Sequence, residues 1–329
     1  MTAAWVGYRS PLAGHIERYL ATKRALGCRF HSEDRTLRVF DRFLAEADIT
    51  TIEQITDDVI DRFLASRPRR VPKSYNHLLG VVRRLCEWLV SQQVIAGSPV
   101  RASARRETAR RLPFLFTPPL ARRLFDVARA LPDNHRSRYR GPTYHAIFAL
   151  LYGLGLRVGE VSRLQLGDVD LAREVLLIRE SKFGKSRQVP FGPKLGAVLR
   201  AYLAGRPGTR GTDPHAPLFT WTGRERVHTN SIRNTFRDHI VPALDLVIPP
   251  GTMRPRVHDL RHSFAVGTLL RWYRQGLDPA VRLHYLSTFL GHVRPETTAV
   301  YLTITSDLYA EANRRFEALA SPAISEVRS

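Results

Sequence analysis

Apolar residues recur at three- and four-residue spacing along most of this chain, and alternate as in a strand in one place only. Residues 10 to 96 read as four helices. "SPLAGHIERYLATKRALG" opens on Ser10 and Pro11, a cap and first-turn pair, and closes at Gly27. "HSEDRTLRVFDRFLAEA" opens at Ser32 with acids in its first turn. A short helix follows over Asp57–Ser66. Beyond the proline-broken basic loop "SRPRRVPK", a long helix is predicted from Lys73 to Gln93, and "AGSPV" ends the unit. Further on, "TPPLARRLFDVARAL" reads as a capped helix. "GPTYHAIFALLYGLG" is strongly apolar, which puts it at the centre of a core. "EVLLIRESKFGKSRQVPF" is the one clear hairpin, with arms Val175–Ile178 and Gln188–Phe191 and the turn "SKFGKS". Helices resume to the end, where "SDLYAEANRRFEAL", Ser306 to Leu319, reads as an amphipathic tail helix. The fold class is mainly α with a small β-hairpin or sheet, α+β.

Between the two helical regions lies "RASARRETARR", Arg101 to Arg111, with five arginines, one acid and no apolar stripe. It reads as a basic linker, with a solvated surface helix as the alternative. The expected division is therefore a helical domain over 1–100, a linker over 101–112 and a second domain over 113–329. Charge sharpens this picture. Lys and Arg number 51 against 30 Asp and Glu, a net +21 with a pI near 10.9. A globular chain this basic meets a polyanion, and nucleic acid comes first. Arginine-rich codon usage accounts for Arg over Lys, but not for the missing acids. No apolar run approaches the roughly 20 residues that cross a bilayer, and "MTAAWVGYRS" lacks the order of a signal peptide. A cytoplasmic protein without membrane partners is expected. Cys28 and Cys86 stand far apart, which excludes a disulfide framework and a cysteine-rich zinc site. Both are expected inside helices as small apolar residues.

Four segments carry candidate chemistry. In "LLYGLGLRVGEVSRL" an apolar helix breaks at Gly153 and Gly155, and Arg157 follows at once. Such an arginine, its guanidinium held in place by Glu160, can fork onto a phosphate or carboxylate, or it can simply pair with Glu160. The two readings are even on this segment alone. The hairpin turn holds Lys182 and Lys185, two of only five lysines in the chain. A lysine can donate a proton where an arginine cannot, although a solvated turn explains an isolated case better. "VHDLRHSFAV" sets His258, Arg261 and His262 at the mouth of a helix. The candidates are a metal site, an anion site and an ordinary helix start. His258 and His262 have a zinc spacing, but Asp259 stands where a zincin has Glu, and no third ligand is near. His258 and Arg261, at i and i+3, share a face and can donate to one anion at the helix N-terminus. His262 reads as a structural histidine beneath them. Finally, "LGHVRPETTAVYLTI" places Tyr301 nine residues after His292. A tyrosine before an apolar tail is usually core, and as a nucleophile it needs help, with a free pKa near 10.

Taken in order, "GLGLRVGE", "SKFGKSRQVP", "HDLRHSFA", and "LGH" with a tyrosine nine residues on resemble the tyrosine recombinases of the phage integrase family. The motifs span about 150 residues in family order. The four-helix front unit resembles the family's SAM-like core-binding domain, and the remainder its catalytic domain. One stretch departs. "LRWYRQGLDPAVRLHYLSTF" is longer than in the simplest Xer-like members and resembles recombinases of transposon-like elements.

The resemblance implies a site-specific recombinase that cuts and rejoins DNA through a 3′-phosphotyrosyl intermediate. It implies Tyr301 as nucleophile and Arg157 and Arg261 as clamps on the phosphorane. It further implies Lys182 as general acid to the 5′-oxygen, His258 assisting proton transfer at Tyr301, His292 bonding the phosphate and Glu160 as an acidic buttress. No metal, ATP or other cofactor is required. The expected phosphate contacts are Arg67, Arg69, Arg70, Lys73, Arg101, Arg105, Arg106, Arg110 and Arg111. The partners implied are a double-stranded recombination site, which two domains embrace as a clamp, and further copies of the chain, a tetramer on paired sites joined through the tail helix. Sister recombinases or accessory proteins are further partners to test for, and the setting is the bacterial nucleoid. Tyr285 and Tyr309 are rival phenols at the wrong spacing. The competing functions are type IB topoisomerase-like relaxation, a non-catalytic DNA-binding accessory protein and a metal-dependent nuclease, which a chelator would abolish.

Overall fold

The computed structural model describes residues 7–106, 112–135, 137–179, 186–208, 213–292, 296–299 and 301, with the backbone alone at 296 and 297. The chain divides into two compact units, 1–110 and 111–329. Among the described residues, no helix is long and apolar enough to cross a membrane.

The first unit holds α1 (Ala13–Ala25), α2 (His31–Glu46), α3 (Asp57–Ser66) and α4 (Pro72–Ser91). Each buries one stripe. Ile16 and Leu20, Leu37, Phe40 and Leu44, Ile60 and Phe63, and Val82 and Leu85 form its core. Buried Asp41 of α2 accepts the Arg9 and Ser10 backbone N–H groups, both at 2.9 Å, and so fixes the chain before α1. Two sequence expectations need correction. Ser32 does not open α2. The helix starts at His31 after Phe30, whose backbone is left-handed, and Ser32 lies inside the first turn. Cys28 is exposed in the loop between α1 and α2, and only Cys86 is a buried helical thiol.

The start of the basic segment is tied to this unit. Asn76 of α4 donates to the Arg105 carbonyl and accepts the Arg105 N–H, each at 2.8 Å. The Arg105 guanidinium lies 3.9 Å from the centre of the Tyr75 ring and donates to the Arg69 carbonyl at 2.8 Å. Residues 101–106 are therefore held to α4, where composition alone suggests a free linker. Arg110 and Arg111 lie outside the described residues.

In the second unit, α5 (Pro118–Arg129) and the apolar α6 (Arg140–Gly153) precede the short α7 (Val158–Arg163). Next come β1 (Val169–Asp170), β2 (Val175–Ile178) and β3 (Arg187–Pro190), an antiparallel sheet in that order. α8 (Pro193–Gly205), α9 (Thr229–Thr235), α10 (Val241–Ala243), α11 (Val257–Arg274), α12 (Pro279–Leu290) and α13 (Glu296–Ala299) complete it. Ile147, Phe148 and Leu150 of α6 are fully buried at the centre of the core. The two-residue β1 has too short a pattern to be read from sequence. β3 begins one residue earlier than expected. Its register sets Arg187 opposite Ile178 and Val189 opposite Leu176. Period-two alternation then turns Arg187 to the same inward face as buried Val189.

Candidate active site

Arg157 and Arg261 reach the site through one local device used twice. Each stands at or within a helix whose third residue is an acid that reaches back to the cap residue just before the helix. In α7, Glu160 accepts the Arg157 backbone N–H at 2.8 Å. In α11, Asp259 accepts the Arg256 backbone N–H at 2.8 Å. This half of a capping box satisfies an orphan donor and anchors a carboxylate at the positive helix end.

The C-terminus of α12 then gathers the arginines. Its last carbonyls lack helical partners. Phe289 accepts from Arg187 Nε (2.9 Å), Leu290 from Arg261 Nη2 (2.8 Å) and Gly291 from Arg157 Nη2 (2.8 Å). Arg261 Nη1 also donates to the Gly155 carbonyl at 2.7 Å. Gly155 has φ +59, and a Cβ there would stand 2.6 Å from Phe264 and 2.9 Å from Leu290, so the close approach of α6 to α11 and α12 requires glycine. Gly291, at φ +69, ends α12 in the left-handed region.

Among the described residues, Glu160 is the one carboxylate that forms ion pairs with these arginines. It accepts from Arg157 Nη1 at 2.8 Å and from Arg187 Nη1 and Nη2 at 3.0 and 3.1 Å. Burial alone raises its carboxyl. The bonds and charge of Arg187, then those of Arg157, outweigh that and hold it at about 2. A depressed carboxyl stabilises the fold above its ordinary 4.5, and that contribution is lost as pH falls toward 2. Glu160→Gln is therefore expected to lower unfolding stability by about 3–5 kcal/mol at neutral pH, the cost of breaking a buried pair. The gap to wild type should narrow from pH 4.5 downward, as read from urea midpoints across pH.

Three guanidiniums against one carboxylate make the centre cationic. Arg261 is 1% exposed, and burial followed by Arg157 lowers it to about 10, so it stays charged at neutral pH. His258 is lowered to about 4, by desolvation and then by Arg261, Arg256, Arg157 and Arg233. His258 itself is exposed at the start of α11. His292 is lowered to about 3 by desolvation, then by Arg261 and Arg157. Both imidazoles are neutral at pH 7, as suits hydrogen-bonding groups in an anion site.

The phenol of Tyr301 is brought to this centre. Its ring is 4% exposed and packs with Ala265, Val266, Leu269, Leu286 and Leu290. The His292 ring lies nearly parallel to it, 6.3 Å between centres, and His292 Nδ1 is 2.6 Å from Thr298 Oγ1. His262 Nδ1 lies 3.1 Å from the phenol oxygen, and the His258 ring stands edge-on to His262 at 4.6 Å. His262 is thus at hydrogen-bonding distance from the phenol, where the family resemblance implies His258 for proton transfer and the sequence reads His262 as structural. Arg157, Glu160, His258, Arg261, His292 and Tyr301 come together. Lys182 and Lys185 lie outside the described residues. Sequence reading misses Arg187, although it stands in the quoted "SKFGKSRQVP"; only the sheet register reveals which way it faces. Among the described residues, no three His, Cys, Asp or Glu side chains gather into a metal site.

A family model described as "Phage integrase family" matches residues 122–307, more than half of the chain. The "Putative integrase/recombinase y4rB" of Sinorhizobium fredii (strain NBRC 101917 / NGR234) is 36% identical over 305 residues, covering 92% of this chain and 96% of that protein. The chain belongs to the phage integrase family. As a tyrosine recombinase it cleaves and rejoins DNA through a phosphotyrosyl intermediate. The fold agrees. The integrase of the Tn1549 transposon, solved with a circular intermediate DNA, superposes with a TM-score of 0.64 at 15% identity, over 92% of this chain and 98% of that one. A lambda integrase dimer bound to a COC′ core site gives 0.61 at 15%, over 88% and 76%. The mainly helical architecture with a small three-stranded sheet is that of this recombinase's structural neighbours.

Proposed function

We propose that Tyr301 is the nucleophile of this recombinase and that Arg157 and Arg261 clamp the scissile phosphate. The observation that carries this is the convergence at the end of α12. Two guanidiniums are held there on consecutive carbonyls, one residue from His292, whose ring lies along Tyr301. The Tyr301 oxygen attacks phosphorus, the phosphorane charge falls on the arginines, and the 5′-oxygen leaves with a proton from Lys182. His292 and His258 bond the phosphate oxygens. Glu160, with Arg187, positions Arg157.

The first unit is the core-binding domain in this reading. Arg69, Arg70, Lys73, Arg101, Arg105 and Arg106 are exposed on it, and Arg67 is partly so. The Arg105–Arg69 bond joins the two basic stretches. Phosphate contacts from this surface make binding weaken steeply with salt. The substrate is a double-stranded recombination site, and copies of the chain associate on it, as the lambda integrase dimer does on its core site. A tetramer joined through the tail helix at the nucleoid, with sister recombinases or accessory proteins where required, is the finer proposal. The tail and Tyr309 lie outside the described residues.

The test uses DNA from the ends of the element that carries the gene. Protein and DNA are mixed in EDTA and denatured, and any adduct is digested and mapped by mass spectrometry. The expected result is a covalent adduct on the Tyr301 peptide. An adduct elsewhere overturns the nucleophile. Cleavage only with added metal, or salt-sensitive binding without an adduct, overturns the catalytic reading in favour of a nuclease or an accessory protein.

A further inference from the structure

We propose that His262 is the catalytic base that takes the Tyr301 proton; this rests on Tyr301 being the nucleophile. His262 Nδ1 is 3.1 Å from the phenol oxygen, at hydrogen-bonding distance. On its far side, Nε2 lies 3.9 Å from the Oδ1 of Asp259, one turn earlier on α11. That distance is too long for a hydrogen bond, so Asp259 acts through its charge. Asp259 is fully buried and held by the Arg256 backbone N–H and guanidinium, at 2.8 and 3.1 Å. Carboxylate, imidazole and phenol therefore stand in sequence, the order that orients a base and steadies the imidazolium it becomes.

His258 is worse placed for that task. Its ring faces Arg261, Arg256, Arg157 and Arg233, and a proton accepted there adds a cation to four others. His262 has the Asp259 carboxylate beside its Nε2, and the His258 ring stands edge-on to it. The working tautomer carries its hydrogen on Nε2, toward Asp259, and leaves the Nδ1 lone pair toward the phenol. In the step, the Tyr301 O–H bond breaks and its proton passes to His262 Nδ1. The phenol oxygen forms the bond to phosphorus, and the phosphorus–O5′ bond breaks as O5′ takes a proton from the general acid. Religation runs the same path backward, and His262 returns the proton to Tyr301.

The test is single-turnover cleavage by the full chain on a DNA duplex that gives the wild-type adduct. Asparagine can keep a hydrogen bond near the Nδ1 position but cannot accept a proton. His262→Asn is expected to slow cleavage by about 100-fold or more, the range of general acid–base catalysis. Placing the more acidic difluorotyrosine at position 301 should restore most of that loss in His262→Asn and little in His258→Asn. A purely structural His262 predicts the opposite pattern: near-normal His262→Asn, a loss in His262→Ala, and no rescue by the acidic phenol. That pattern, or rescue confined to His258→Asn, overturns the assignment. Tyr301→Phe separates the two levels. An adduct that survives it removes the nucleophile reading itself, whereas loss of the adduct with unimpaired His262→Asn removes the base alone.

Discussion

Tyr301→Phe is expected to bind DNA as the wild type does and to form no covalent adduct at all. The change removes one oxygen. The ring keeps its place among Ala265, Val266, Leu269, Leu286 and Leu290, so the packing that seats it is preserved. His262 Nδ1 loses the phenol at 3.1 Å, which costs about 1–3 kcal/mol where the imidazole is screened from water. The arginines on the α12 carbonyls are untouched, and so is the basic surface of the first unit. Affinity by gel shift at fixed salt should therefore hold, while the denaturing gel shows no shifted DNA. A residual adduct would point to another phenol. Tyr285 is 62% exposed on α12 with its ring against His284, at 3.8 Å between centres. A fall in both binding and adduct would instead mean that the hydroxyl holds the site together.

The parts legible in the sequence are those encoded by periodicity and by residue type at a fixed spacing. The stripes of α2 and α4, the apolar α6, the hairpin arms and the pairing of Arg157 with Glu160 are local. A helix places i and i+3 side by side whatever surrounds it. The centre itself is assembled by long-range contacts. Arg157 meets the Gly291 carbonyl across 134 residues, and Arg187 meets that of Phe289 across 102. No spacing rule contains such information. Arg187 faces Glu160 because it stands two residues before buried Val189 on β3 and pairs with Ile178, and that register is a cross-strand property. His262 and His258 differ by one helical turn; sequence assigns His258 to the anion and reads His262 as structural, and only the seat of Tyr301 brings His262 to the phenol. Asn76 and Tyr75 hold Arg105 to α4, which composition reads as loose because five arginines in eleven residues carry no apolar signal.

Arg261→Ala is expected to leave a folded protein that cleaves about 100- to 1,000-fold more slowly, and Arg261→Lys to recover little of that loss. Arg261 is fully buried yet forms no ion pair among the described residues; Glu160 is taken up by Arg157 and Arg187. Its guanidinium spends two donors on the carbonyls of Gly155 and Leu290 and keeps its charge. Burying a cation against neutral acceptors is costly for folding. The same arrangement is favourable once negative charge develops beside it, because the donors are already oriented in a place of low polarity. One lost donor in such a site typically costs about 3–4 kcal/mol of transition-state stabilisation. Truncation to alanine relieves the buried charge but strands two carbonyls, at about 1–3 kcal/mol each, so the net change in stability should be small beside the change in rate. Lysine keeps the charge but has no planar fork to span Gly155, Leu290 and a phosphate together. The measurement is single-turnover adduct formation at saturating DNA, alongside urea unfolding. A rate that falls while affinity holds marks an interaction made in the transition state. A rate per folded molecule equal to wild type would reduce Arg261 to a brace between α6, α11 and α12.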